Sequence, residues 1–76
     1  MNEIQERKDR FIKHELLNLV QAIDNRILKI NYEVHDDGEE FAEIHWLYKD
    51  GSGYRIRVRI TADSIKAIVK DVLKYI

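Results

Sequence analysis

Apolar residues recur at every second position in three consecutive runs of this chain. Leu28, Ile30, Tyr32 and Val34 form the first run, Ala42, Ile44, Trp46 and Tyr48 the second, and Tyr54, Ile56, Val58 and Ile60 the third. Side chains alternate faces along an extended backbone, so a period of two marks a β-strand with one buried face. The runs are separated by Asp36-Asp37-Gly38 and by Asp50-Gly51-Ser52-Gly53. Both are turn-forming segments, and the three runs therefore read as an antiparallel meander.

The alternation also constrains register, because a slip of one residue turns the whole apolar set to solvent. Gly38 occupies the third position of a three-residue loop at 36–38, the place where such hairpins need a left-handed residue. That loop pairs Tyr32 with Ala42, Ile30 with Ile44 and Leu28 with Trp46. A three-residue loop at 50–52 pairs Tyr48 with Tyr54, Trp46 with Ile56, Ile44 with Val58 and Ala42 with Ile60. In both hairpins every inward residue meets another inward residue, the agreement across levels expected of a specified fold.

The period changes to 3.6 on either side of the meander. Before it, Ile12, Leu16, Leu19, Val20 and Ile23 form one helical stripe, flanked by Phe11 and Leu17. Asn2 and Gln5 have the spacing of a capping box. Glu3–Arg7, Glu6–Arg10 and Asp9–Lys13 are i,i+4 pairs of favourable orientation. The first turns are otherwise solvated and free to fray, and Asp24-Asn25 ends the helix. After the meander, Ile65, Ile68, Val69, Val72, Leu73 and Ile76 mark a second helix. Thr61 is its expected N-cap, with Asp63 in the first turn and Lys70 and Lys74 near the C-terminal end. The expected fold class is α+β, a two-layer α-β-β-β-α domain over residues 1–76. Both helices then cover the single apolar face of the sheet.

Composition narrows the function classes. A chain of 76 residues buries only about 60% of its unfolded surface, which leaves little room for internal pockets and makes self-association a natural way to gain buried area. The 13 Lys+Arg and 14 Asp+Glu give a net charge of −1, without the basic excess of a generic nucleic-acid binder. There is no cysteine for disulfides or thiolate metal sites. The N-terminus lacks an apolar leader core and no run approaches a membrane span. A cytoplasmic location is the expectation, with no membrane partner.

Catalytic chemistry finds little material. His14 falls on the first helix, while His35 and His45 stand several residue pairs apart on the outer sheet face, too far to share a metal. Asp36-Asp37-Gly38-Glu39-Glu40 has carboxylates and a glycine but not the alternating ligand spacing of a calcium loop. Ser52 and Ser64 have no His–carboxylate partnership, and no GK[ST] follows the glycines. The expectation is a non-enzymatic chain with no cofactor and no small-molecule substrate.

The outer sheet face is the one surface with character. Its rows are Lys29, Asn31, Glu33 and His35; Phe41, Glu43, His45 and Leu47; and Arg55, Arg57 and Arg59. On this register Glu43 opposes Arg59, and His45 lies between Lys29 and Arg57. Phe41 and Leu47 are apolar residues aimed away from the core, with Ile27 beside Leu47, and a charge-rimmed apolar patch marks protein interfaces. The arginine row suits phosphates or a partner's carboxylates. It also suits an edge strand that must resist aggregation. The candidate binding residues are thus Lys29, Phe41, His45, Leu47, Arg55, Arg57 and Arg59. The expected function is a protein-interaction module, through the outer face or the third-strand edge, acting on a protein partner or on a second copy. Its size and charge fit a phage or mobile-element accessory protein, such as an inhibitor of a host complex. The second reading is nucleic-acid binding by the arginine row.

The order helix–strand–strand–strand–helix over this length resembles the double-stranded-RNA-binding domain, across the whole chain and at the level of topology. The resemblance implies RNA contacts from the loop between the first two strands and from lysines opening the second helix. Those places here hold Asp36-Asp37-Gly38-Glu39-Glu40 and Thr61-Ala62-Asp63-Ser64-Ile65-Lys66. The first repels phosphate and the second supplies one lysine, so that family's RNA-binding motifs are missing from both places.

Overall fold

The computed structural model describes all 76 residues. A first helix runs through α1 (Glu3–Phe11), a π-helical segment (Ile12–Leu16) and α2 (Leu17–Ile23). It is followed by β1 (Ile27–Val34), β2 (Glu40–Leu47), β3 (Gly53–Ile60) and α3 (Ile65–Leu73). The strands form one antiparallel sheet in the order β1-β2-β3, the α+β meander that the two periods predict. Thirteen buried apolar residues make a single cluster. It joins Ile12, Leu16 and Val20 of the first helix, Ile68 and Val72 of α3, and even-numbered strand residues such as Ile30, Ile44 and Val58.

The first helix departs from the uninterrupted period. Its N-terminus carries the full capping box between Asn2 and Gln5. Beyond it, Lys8, Ile12, Leu16 and Val20 are all buried, at a constant spacing of four. In a regular helix of 3.6 residues per turn, each such step overshoots a full turn by about 40°, and the row would wind away from the sheet. The wider π-helical turn absorbs the extra residue and keeps the row in line. Phase downstream then moves by one residue. In α2 Val20 is buried and Leu17 and Gln21 are half-buried, as is Asp24 at the C-cap, while Leu19 and Ile23, expected in the stripe, are exposed at 42% and 57%.

The two hairpins close by the same rule. His35 N–H donates to Glu39 O and Gly38 N–H to His35 O; likewise Tyr48 N–H donates to Ser52 O and Gly51 N–H to Tyr48 O. Each loop has three residues and ends in a left-handed glycine, Gly38 and Gly51, both at φ 87°. The second loop is therefore 49–51 rather than 50–52. Trp46 pairs with Tyr54, Ile44 with Ile56, Ala42 with Val58 and Glu40 with Ile60. The expected register is off by two, which preserves the faces but changes every cross-strand neighbour. The first hairpin has the expected pairs except at its far end. A bulge between Ile27 and Lys29 puts Ile27, not Leu28, opposite Trp46. Ile27 is buried and Leu28 is 53% exposed.

The second helix starts later than expected. Ser64, not Thr61, is its N-cap, accepting from Ala67 N–H at 3.1 Å. Asp63, outside the helix, accepts instead from Lys8 Nζ at 2.6 Å, and Glu40 lies at the same distance. Tyr32 O–H donates to Glu40 as well. This buried lysine anchors the helix start that was expected to fray, tying α1 to β1, β2 and the approach to α3. Of the three expected i,i+4 pairs, only Asp9–Lys13 forms, at 2.8 Å.

Candidate interaction surface

The register decides what the odd-numbered face can do. Glu43 on β2 opposes Asn31 of β1 and Arg57 of β3, and His45 stands between Lys29 and Arg55. Glu43, placed opposite Arg59 by the sequence reading, thus faces Arg57, while Arg59 lies across from Phe41. Glu43 is only 6% exposed, held at 2.7 Å from His45 Nε2 and 3.2 Å from an Arg57 amino group. Burial alone pushes its carboxyl up, but the hydrogen bonds from His45 and Arg57 outweigh that and hold it below its ordinary value.

The middle of the face is consequently satisfied from within. Arg57 also lies 3.6 Å from Glu33, and its guanidinium sits 5.8 Å from the centre of the Phe41 ring. His35 packs on the same ring, with centroids 4.7 Å apart, so Phe41 is half-buried rather than an open apolar residue. Arg59 is paired with Glu39 at 2.7 Å. Two of the three arginines are therefore already engaged by carboxylates. His35 lies 3.3 Å from Glu33, while His14 stands exposed on the first helix. Nowhere do three histidines or carboxylates converge in ligating geometry.

The loop-proximal end of the face is different. Leu47 is 48% exposed, and the β1 bulge adds Leu28 to the same hollow, of about 320 Å³. Gly53, opposite Leu47 in the ladder, contributes no side chain, and its bare backbone forms part of the lining. His45 and Arg55 complete the polar side. Lys29 and Arg55 make no ion pair with any carboxylate of the chain. The structure thus gathers Leu47, His45 and Arg55 from the expected set around the hollow, leaves Lys29 as a free cation on β1, and ties Phe41, Arg57 and Arg59 into the paired centre. Leu28 was missed because alternation assigns it inward. The signal for it was the doublet Ile27-Leu28, which a strict period of two cannot accommodate without a bulge.

Comparison of the chain with protein-family models, with curated proteins and with solved structures found no significant match in any of the three. No helix is long and apolar enough to cross a membrane.

Proposed function

We propose that this chain is a non-enzymatic protein-interaction module that holds another protein through the loop-proximal end of its outer sheet face. The observation that carries this reading is the contrast within one face. Arg57 holds Glu43 and lies over Phe41, and Arg59 holds Glu39, whereas Leu28 and Leu47 stand exposed around a hollow, with Lys29 and Arg55 as unpaired cations on the same face. Apolar anchors within a polar rim are the anatomy of an interface. Nucleic-acid binding has less support, since the chain carries a net charge of −1 without a basic excess, and Glu33, Glu39 and Glu43 stand among the arginines. A module of this size acts by covering a surface of its partner, the mode an accessory or inhibitor protein of a mobile element would use.

Affinity capture from the native host tests the proposal, with nuclease-treated controls and the variants Leu47→Asp and Arg57→Glu. The expected result is a protein partner lost with Leu47→Asp and retained after nuclease. Capture that is unchanged by Leu47→Asp, or that recovers only nucleic acid and falls steeply as salt rises, overturns it.

A further inference from the structure

β3 is an edge strand, and its hydrogen-bonding parity has a specific result. Tyr48 N–H bonds to Ser52 O, and the pairs continue as 46–54, 44–56, 42–58 and 40–60. Bonded and non-bonded pairs alternate along an antiparallel ladder. The even-numbered residues of β3 therefore bond to β2, and Gly53, Arg55, Arg57 and Arg59 direct their N–H and C=O groups to the open edge. No loop or cap bond of the backbone uses them.

The side chains of the three arginines lie on the outer face, where Gly53 leaves a gap. An antiparallel second copy would have to pair odd residues with odd residues, because only those carry free groups. The central registers set arginine against arginine, which like charges disfavour. A foreign strand meets a different pattern. Residues opposite Arg55, Arg57 and Arg59 face guanidinium groups: that of Arg55 is unpaired, and those of Arg57 and Arg59 each hold a carboxylate of the chain but stay half or more exposed, with further N–H donors to offer. The residue opposite Gly53 lies over bare backbone, beside Leu47 and the hollow.

We infer that the open edge of β3 takes up an extended segment of a partner protein as a fourth, antiparallel strand, with acidic residues at alternate positions followed by one apolar residue. In the partner's direction the motif is acid-x-acid-x-acid-x-apolar, the acids facing Arg59, Arg57 and Arg55 and the apolar residue filling the gap at Gly53. Main-chain bonds supply affinity and alternate side chains supply choice, as in other strand additions. The inference rests on the proposed interaction function and specifies the partner's chemistry.

The probe is the synthetic peptide acetyl-ETETETL-amide, with acetyl-KTKTKTL-amide as its charge-reversed control. Titration into the full ¹⁵N-labelled chain is expected to shift the amides of Gly53, Arg55, Arg57 and Arg59 and to slow their hydrogen exchange. Arg55→Glu is expected to weaken binding roughly tenfold, and the lysine peptide should not bind. Gly53→Leu fills the gap with the chain's own side chain and should weaken binding to a similar degree. A Cβ at Gly53 meets only Trp46 O, at 3.5 Å, an ordinary contact, so this variant is expected to fold. Failure of the acidic peptide to bind at millimolar concentration, or binding that leaves the four amides exchanging as before, overturns strand addition. If native capture is still lost with Leu47→Asp in that case, the interaction function stands and only the strand mode falls. If capture is also insensitive, both fall.

Discussion

Lys8 on the first helix places its ammonium 2.6 Å from a carboxylate oxygen of Glu40, across the boundary between helix and sheet. Its side chain is 2% exposed and that of Glu40 17%. A buried charge is tolerated only when its partners stay in place. Burial pushes the Lys8 ammonium down, but Asp63 and Glu40 more than offset it and leave it above its ordinary value. Lys8→Met strands Glu40 and should cost about 1–3 kcal/mol in urea unfolding, below the range for fully buried pairs because Asp63 is largely solvated. Lys8→Met combined with Glu40→Leu should recover part of that loss.

The same cluster sets the alkaline limit. Burial, then the bond to Glu40, raises the Tyr32 phenol. A group raised on folding contributes stability that is complete below its unfolded value and disappears as pH rises through the folded one. Stability should therefore hold to about pH 10 and fall above it as Tyr32 and Lys8 lose their protons. The fall should be shallower in Tyr32→Phe. Urea midpoints between pH 8 and pH 12 would measure both.

Asp24 governs the acid side. It accepts both Nε and an amino group of Arg26 at 2.9 Å and the indole N–H of Trp46 at 3.1 Å. The Arg26 side-chain and backbone bonds hold its carboxyl well below the usual carboxylate range. A depressed group contributes above its unfolded value, and the contribution is lost as pH falls toward the folded one. Because Trp46 is the sole tryptophan, its fluorescence should report a stability loss beginning near pH 4. Asp24→Asn should remove that part of the acid dependence, and an unchanged acid profile would contradict the assignment.

Gly51 and Gly53 should respond differently to alanine. Gly51 sits at φ 87° with open space around its Cβ position, so Gly51→Ala costs only the left-handed strain, about 1–2 kcal/mol. Gly53→Ala should be nearly neutral, because its Cβ meets no more than an ordinary contact. Thermal melts of the two variants decide the point.

Removing one exposed residue from the π-helical segment should be tolerated. Deletion of His14 changes the buried spacing from four-four-four to four-three-four, which a regular helix accommodates. The deletion variant is expected to keep its far-ultraviolet circular dichroism and to melt no lower than the parent. Loss of cooperative melting would show that the π turn has another role.

Much of this fold was legible from local pattern. The even-numbered apolar runs identify three strands and their faces, the Asn2–Gln5 box starts the first helix, and Gly38 dates the first turn. Lys49-Asp50-Gly51 has the same form as Asp36-Asp37-Gly38, so the rule that ends the first loop at Gly38 also ends the second at Gly51, two residues short of the register expected from a loop at 50–52. The candidate surface was read less well. A two-residue shift leaves every side chain on its face yet gives Glu43 to Arg57 instead of Arg59, and a bulge exchanges Ile27 for Leu28.

By itself the sequence determined the three strands, the face that each turns inward over most of its length and the presence of a helix on either side, because periods of two and 3.6 are properties of the backbone that any solvent boundary will read. Only the tertiary structure decided which arginines are free, which leucine is exposed and why a lysine lies in the core. Those outcomes depend on register, on one bulge and on a π-helical turn, and each is chosen by contacts between segments distant in the chain.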